Sequence, residues 1–306
     1  MLGRSERESP AHAAQAAHDA GWSGVAPGSV VAAAVPDESV ELLDLGTTSD
    51  TLATVATIDD LAAVVHLGHP EQPSPRLEEA LLAGDPSLIV TAGVAVAPQW
   101  VWVTPADATG GQAVIGQVVI DEAGMRDCQD LLRAMGVSPR LVPTRTSVDE
   151  RVALAGQAGS LVVERSRVPA GWVEVPGSER LAGRPPVWYG LLESREAWPR
   201  FEAPAQVWLA VGPSDDHRGS LQHTLAVLSA AGVDLQHLRS HLSARGPHVF
   251  FTSFRCATAD VLDGLVAELD ARGVAHRTLA VLPGERFVPG PAPLAPQWAA
   301  GARAAE

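Results

Sequence analysis

Three adjacent residues, Arg145, Thr146 and Ser147, come just before a predicted helix that begins near Asp149. Hydroxyl groups and unpaired backbone N–H groups at a helix start suit a carboxylate, and an arginine adds a fixed positive charge. This segment therefore predicts a carboxylate-binding site. The alternative is structural, because a serine in this position also caps a helix without binding any ligand.

Two further side chains could transfer protons. His12 lies on the first predicted helix and could act as a general acid or as the partner of a carboxylate. Tyr189 is the only tyrosine, and its phenol could donate a proton. Each has a structural alternative as well: an exposed histidine on a helix surface, and a core aromatic residue with a satisfied hydroxyl.

Missing residue types exclude several chemistries. The 306 residues include neither lysine nor asparagine, so all 22 basic residues are arginines. Without lysine there is no Schiff-base nucleophile and no P-loop lysine. Pyridoxal phosphate enzymes, class I aldolases and Walker NTPases are therefore excluded.

The cysteines and histidines form no recognisable metal-binding pattern. Cys128 and Cys256 are far apart in the sequence, so neither a disulfide framework nor a zinc ribbon is expected. Cys128 lies in an apolar helix and is predicted to be a buried, inert thiol. His237 and His241 share one face of a predicted strand, but the spacing supplies no third ligand, and no metal site is predicted.

The net charge of −14 argues against nucleic acid and against an anionic membrane surface as partners. No apolar run approaches the length of a membrane span, and the first residues lack the apolar core of a signal peptide. These features predict a cytoplasmic protein. The length predicts two domains.

Residues 1–195 are predicted to form an α/β domain. A helix is expected from Pro10 to Ala20 with Ser9 as its N-cap, and a buried strand from Val30 to Val35. From 113 to 164 the order is strand, helix, strand, helix, strand, which favours a parallel sheet. The charged stretch Glu193 to Glu202 is the expected linker.

Residues 203–284 read as strand, helix, strand, strand, helix, strand, and predict a small α+β domain. A glycine at the start of its first helix would let a carboxylate approach the backbone N–H groups of Gly219, Ser220 and Leu221. Residues 285–306 are rich in proline, alanine and glycine and are expected to be a disordered tail.

The C-terminal unit resembles an ACT domain, most closely the regulatory domain of prephenate dehydratases. Gly219-Ser220-Leu221 is similar to the Gly-Ala-Leu motif of that family, and His248 to Phe251 matches its Tyr-x-Phe-Phe run. Arg239 to Leu242 occupies its Glu-Ser-Arg-Pro motif and keeps only Ser240. The resemblance implies a site for an amino acid, aromatic ones included, at Gly219, Ser220, Leu221 and Ser240. It also implies a homodimer or homotetramer formed through this domain.

The N-terminal region resembles the catalytic domain of the same family. The similar segments, in order, are Ser9 to Ala14, Gly124 to Cys128, Thr146-Ser147 and Ser160 to Val163. The resemblance implies a two-lobed, periplasmic-binding-like domain of the prephenate dehydratase type, followed by the βαββαβ ACT domain. Prephenate would bind in the cleft without cofactor or metal, and Thr146, Ser147, His12 and Tyr189 would be the catalytic residues.

Two family motifs are altered. The Glu-Asn-Ser segment has no asparagine to supply it, and its nearest counterpart is Gly46 to Asp50. The Thr-Arg-Phe motif falls at Val187-Trp188-Tyr189, where valine cannot protonate the leaving hydroxyl as the family threonine is thought to do. Three hypotheses follow: a dehydratase making phenylpyruvate, a prephenate decarboxylase that keeps the hydroxyl, and a non-catalytic amino-acid-binding regulator.

Overall fold

The computed structural model of the protein describes residues 1–22, 42–69, 72–109, 117–182, 186–212, 219–242 and 248–284. The strand predicted from Val30 to Val35 and the tail predicted from 285 lie outside the described residues. No helix in the described ranges is long and apolar enough to cross a membrane.

The chain forms alternating strands and helices. Up to Val96 they are β1 (Leu2–Arg4), α1 (Pro10–Asp19), β2 (Leu43–Asp44), α2 (Thr48–Thr57), β3 (Ala62–His69), β4 (Gln72–Pro73), α3 (Pro75–Ala83) and β5 (Leu88–Val96). Up to Ser194 they are β6 (Trp100–Pro105), β7 (Val118–Asp121), α4 (Glu122–Ala134), β8 (Arg140–Val142), α5 (Val148–Ala155), β9 (Ser160–Glu164), β10 (Trp172–Glu174), α6 (Glu179–Ala182) and β11 (Val187–Ser194). The C-terminal unit contains β12 (Ala205–Gly212), α7 (Ser220–Ala230), β13 (Leu235–His241), β14 (Val249–Cys256), α8 (Ala259–Ala271) and β15 (Ala275–Pro283).

Local sequence explains where several helices begin. Ser9 caps α1 by accepting from the His12 N–H, and Pro10 occupies the first turn, where its missing N–H has no consequence. Asp121 caps α4 by accepting from the Gly124 N–H at 2.7 Å. The predicted start of α1 is confirmed, and each of the two starts depends on residues within four positions of the boundary.

The first lobe is built on β1, β2, β3, β5 and β11, with α1, α2 and α3. β1 runs parallel to β2 and β3, whereas β11 lies antiparallel between β3 and β5. In the sequence, β11 follows all the elements of the second lobe. The chain therefore leaves the first lobe after β5 and returns to it, which makes two crossings between the lobes.

The second lobe has its own five-stranded sheet in the order β10-β6-β9-β7-β8. β7 is parallel to β8 and to β9, which confirms the parallel arrangement predicted between 113 and 164. β6 and β10 add an antiparallel edge. α4 and α6 pack on one core of this lobe, where Cys128 is fully buried as predicted.

The C-terminal unit has the predicted order of strands and helices. Its four strands form an antiparallel sheet in the order β13-β14-β12-β15, with α7 and α8 packed on one face. This sheet does not stand apart from the first lobe, because β15 pairs in parallel with β5 at Ala280 and Val90. The result is one ten-stranded sheet, and the predicted linker begins inside it, since Glu193 and Ser194 belong to β11.

Candidate active site

A cavity of about 710 Å³ lies between the two lobes. One wall comes from the first lobe: the loop after β1, the N-terminal turn of α3 and the end of β3. The other wall is the face of α4 in the second lobe. The polar residues that line it are Ser5, Arg7, Glu8, Thr48, His66, Ser74, Arg76, Glu122, Arg126 and Gln129.

The loop after β1, residues 5–9, belongs to the first lobe and contacts the second lobe across the cleft. Four consecutive residues each contact a different second-lobe side chain: Glu6 with Arg145 (3.8 Å), Arg7 with Glu122 (4.0 Å), Glu8 with Arg126 (3.1 Å) and Ser9 with Glu164 (2.5 Å). The charges of Glu6, Arg7 and Glu8 alternate in sign, and each of these residues pairs with one of opposite charge across the cleft. The loop therefore fixes the inner edge of the cavity to both lobes.

Arg126 is the fixed cation of the cavity wall. Its Nη1 donates to Glu8 at 3.1 Å and its Nε donates to Asp127 at 3.0 Å. Burial alone would lower the pKa of this guanidinium, but Glu8 and Asp127 raise it above its usual range. Arg126 lines the cavity, and among the described residues none accepts from its Nη2, so the guanidinium keeps donors without a protein acceptor.

Glu8 is a nearly buried carboxyl beside that cation, 7% exposed. Burial raises the pKa of Glu8 above its ordinary value, although Arg126 acts in the opposite direction. Desolvation disfavours the charged form of a carboxyl group, so Glu8 holds a proton more readily than an exposed glutamate does. A carboxyl group with a raised pKa thus lines the cavity.

Tyr189 and His66 lie behind this pair. Their rings meet edge to face with centroids 5.7 Å apart. The Tyr189 hydroxyl is buried and has no hydrogen-bond partner among the described residues. Burial raises the pKa of Tyr189 well above its usual range, and burial lowers that of His66 well below its own, so both rings are neutral donors or acceptors.

His12 is not the exposed histidine of the structural alternative. It is 4% exposed, packs edge to face on Trp100 at 5.1 Å, and accepts the Gln99 N–H at its Nε2. Burial lowers the pKa of its imidazole. His12 does not line the cavity wall, so a role in proton transfer remains a prediction.

Thr146 lies on a separate surface pocket that also contains Arg145 and Glu150, and Ser147 is the N-cap of α5. The Ser147 hydroxyl accepts from the Glu150 N–H, and the Glu150 carboxylate accepts from the Ser147 N–H at 2.9 Å, which completes a capping box. The structure does not bring these two residues together with Tyr189. Their predicted role in binding a carboxylate stays a prediction.

Replacement of Ser147 by alanine is expected to lower the melting temperature by about 3 °C, because the first turn of α5 loses its cap. Ser138 is an exposed loop serine and offers a matched control, Ser138→Ala, that should leave melting unchanged. Differential scanning calorimetry measures both. An unaltered melting temperature for Ser147→Ala would mean that the hydroxyl is not committed to the cap.

The ligand residues predicted in the C-terminal unit fall in two places. Gly219 precedes α7 with φ +98°, a left-handed conformation that favours glycine, and is followed by a buried Ser220 and a partly buried Leu221. Ser240 is exposed on β13. Whether these positions bind an amino acid stays a prediction.

His237 and His241 belong to no group of three metal-ligating side chains in the described ranges.

Sequence reasoning did not single out Glu8, His66 or Arg126. A signal was present in the alternating run Glu6-Arg7-Glu8 directly after a strand, because charges crowded at a strand end often face a cleft in an α/β fold. The cluster itself combines residues from β3, α4, β11 and the loop after β1. Their proximity follows from the tertiary arrangement.

No family model matches the sequence, and no curated protein is significantly similar to it. Solved structures are similar in fold. A prephenate dehydratase from Arthrobacter aurescens in complex with L-Phe is 18% identical, with a TM-score of 0.66 and coverage of 97% of this chain and 94% of that chain. The prephenate dehydratase from Staphylococcus aureus subsp. aureus Mu50 is 11% identical, with a TM-score of 0.56 over 79% of this chain and 90% of that one.

A third neighbour, GqqA, is described as a novel type of quorum quenching acylase. It is 14% identical, with a TM-score of 0.57 and coverage of 93% of this chain and 98% of that chain. Identities this low establish the fold alone. The mixed α/β fold of the prephenate dehydratase type is thereby confirmed.

Proposed function

We propose that the chain is a prephenate dehydratase-like lyase that converts prephenate to phenylpyruvate in the cavity between its lobes. The observation that carries the proposal is Arg126, a cation that lines the cavity and is held in place by Glu8 and Asp127. Prephenate has two carboxylates, and a fixed guanidinium suits one of them. The fold neighbours named prephenate dehydratases support the same substrate class.

In the proposed reaction the chain orients the ring and manages one proton. Arg126 holds a carboxylate of prephenate. The ring carboxylate leaves as carbon dioxide, the electron pair of the broken C–C bond enters the ring, and the C–O bond to the ring hydroxyl breaks. Glu8 gives its proton to the departing hydroxide, which leaves as water, and Glu8 then regains a proton from solvent.

Glu8 is assigned this role because Val187 occupies the family threonine position and has no proton to give. Tyr189 is the other buried hydroxyl near Arg126, but its raised pKa makes it a weaker acid than Glu8. His66 lines the cavity, and Tyr189 packs behind it against the His66 ring.

The second candidate is a prephenate decarboxylase, and Val187 is the observation that favours it. If Glu8 does not protonate the hydroxyl, carbon dioxide is lost, a proton from solvent adds to the ring carbon that receives the electron pair, and the product keeps its ring hydroxyl. A third candidate is a non-catalytic amino-acid-binding regulator, favoured by the commitment of Ser147 to a helix cap. In that case the cavity would be a retained scaffold feature.

Incubation of the purified full-length chain with prephenate, followed by mass spectrometry of the product, separates the three. Phenylpyruvate supports the dehydratase. A hydroxylated dihydro product supports the decarboxylase. An absence of turnover together with a raised melting temperature in an aromatic amino acid such as L-phenylalanine supports the regulator.

We further infer that the C-terminal unit is an ACT domain through which the chain forms a homodimer or homotetramer. β13 is an edge strand of the ten-stranded sheet, and it exposes Leu238 (41%), with Leu242 (84%) just beyond its end. Light scattering at micromolar concentration is expected to give a dimer or larger mass. Leu242→Glu should shift the mass toward the monomer, and a monomeric wild-type chain would contradict the assignment.

A further inference from the structure

Glu78, in α3 of the first lobe, has a fully buried side chain, and both side chains that pair with its carboxyl group come from the C-terminal unit. Its Oε2 accepts from Arg239 at 2.7 Å, and its Oε1 pairs with the Nε2 of His241. Both partners lie on β13, more than 160 residues away in sequence. A buried carboxylate is costly without such partners, so this pairing fixes α3 to β13.

The opposite end of α3 is held by the same unit. Arg277 of β15 donates from Nη1 to the carbonyls of Leu81 (2.8 Å) and Gly84 (3.0 Å), and from Nη2 to that of Leu88 (3.2 Å) and to that of Asp85. The last carbonyls of a helix lack partners within the helix, and an arginine beside them satisfies those groups and the helix dipole. The C-terminal unit thus contacts α3 through charged groups at both ends.

Apolar contacts complete the attachment. Leu77 and Leu81 of α3 share one core with Trp208 and Phe251 of the C-terminal sheet. Trp208 and Phe251 lie on the face of the C-terminal sheet opposite α7 and α8. Those two helices form a separate core on the other face. The helix therefore lies between the first lobe and the C-terminal unit and packs on both.

The first turn of this helix also forms part of the cavity. Ser74, Pro75, Arg76 and Leu77 all line it, and Glu78 is the next residue along the helix. Arg76 is exposed and adds its guanidinium to those of Arg7 and Arg126, on the wall opposite Arg126. A change in the tilt of α3 would move Arg76 relative to Arg126, and with it the spacing available for two carboxylates.

We propose that Glu78, through Arg239 and His241, is a positioning residue that sets the cavity wall carrying Arg76, so that the C-terminal unit is a structural part of the active site. The proposal rests on the function proposed above for the cavity. In this proposal β13 affects substrate binding without contacting the substrate, because it holds α3 in place. The proposal also predicts that a change confined to the C-terminal unit alters affinity in the cavity.

The test compares Glu78→Gln and Arg239→Gln with Glu79→Gln in the full-length chain. Glu79 is the matched control, since it is the adjacent acidic residue on α3 and is exposed. Hydrogen exchange of residues 75–83 should become about tenfold faster in both test variants and stay within about twofold of wild type in the control. The Kd for prephenate, measured by calorimetry, should rise about fivefold in the same two variants only.

Arg239→Lys retains the charge and should return both quantities most of the way to wild type. If Glu78→Gln does not fold, Arg239→Gln decides the matter, because Arg239 is partly exposed and its loss is milder. Wild-type exchange and wild-type affinity in Arg239→Gln would overturn the proposal. If the wild-type chain does not bind prephenate, the proposed function fails, whereas the exchange comparison still decides whether β13 positions α3.

Discussion

Replacement of Glu8 by glutamine is expected to lower the rate of phenylpyruvate formation by about 100-fold or more, the usual loss when a general acid is removed. Glutamine preserves the volume of the side chain and can still accept from Arg126. It has no proton acidic enough to give to a departing hydroxide. Coupled measurement of phenylpyruvate absorbance and carbon dioxide release follows both halves of the reaction.

Glu6→Gln is the matched control for this change. Glu6 lies two residues earlier in the same loop, pairs with Arg145 at 3.8 Å, and does not line the cavity. It should retain the wild-type rate. Loss of phenylpyruvate with continued carbon dioxide release in Glu8→Gln would show that the acid is needed only for the hydroxyl. An unchanged rate of phenylpyruvate formation would remove Glu8 from the mechanism.

Replacement of Arg151 by methionine is expected to lower the free energy of unfolding by about 3–5 kcal/mol, because it leaves Asp121 as a buried charge without its partner. The Arg151 and Asp121 side chains are both fully buried, with Nη1 and Oδ2 2.7 Å apart. Arg151 also donates to the carbonyls of Thr144 and Thr146. The loop before α5 should therefore loosen as well.

Urea denaturation followed by tryptophan fluorescence measures the loss, since Trp100 and Trp102 are buried in the same lobe. Arg133→Met is the control, because Arg133 pairs with Asp130 on the solvent side of α4 and its loss should not be measurable. Asp121→Asn combined with Arg151→Met should recover part of the stability. A midpoint for Arg151→Met equal to that of the control would contradict the assigned role of the pair.

The sequence by itself determined those features that depend on neighbouring residues. The start of α1 follows from Ser9 and Pro10, the start of α4 from Asp121, and the limits of β9 from an apolar run between a glycine turn and charged residues. The strand and helix order of the C-terminal unit follows from its alternating apolar periodicity. Each of these signals depends on a few residues that are close together in the sequence, so the sequence is enough to predict it.

Only the tertiary structure decided which distant groups meet. Glu8, His66, Arg126 and Tyr189 converge because β11 returns to the first lobe and α4 faces the loop after β1.

The tertiary structure also decided the pairing of β15 with β5 and the burial of Glu78 against β13. Pairing between strands and ion pairs across lobes depend on which surfaces are buried against each other, and that is a property of the whole packed chain. The sequence therefore specified the parts of the molecule, and packing placed their charged groups around one cavity.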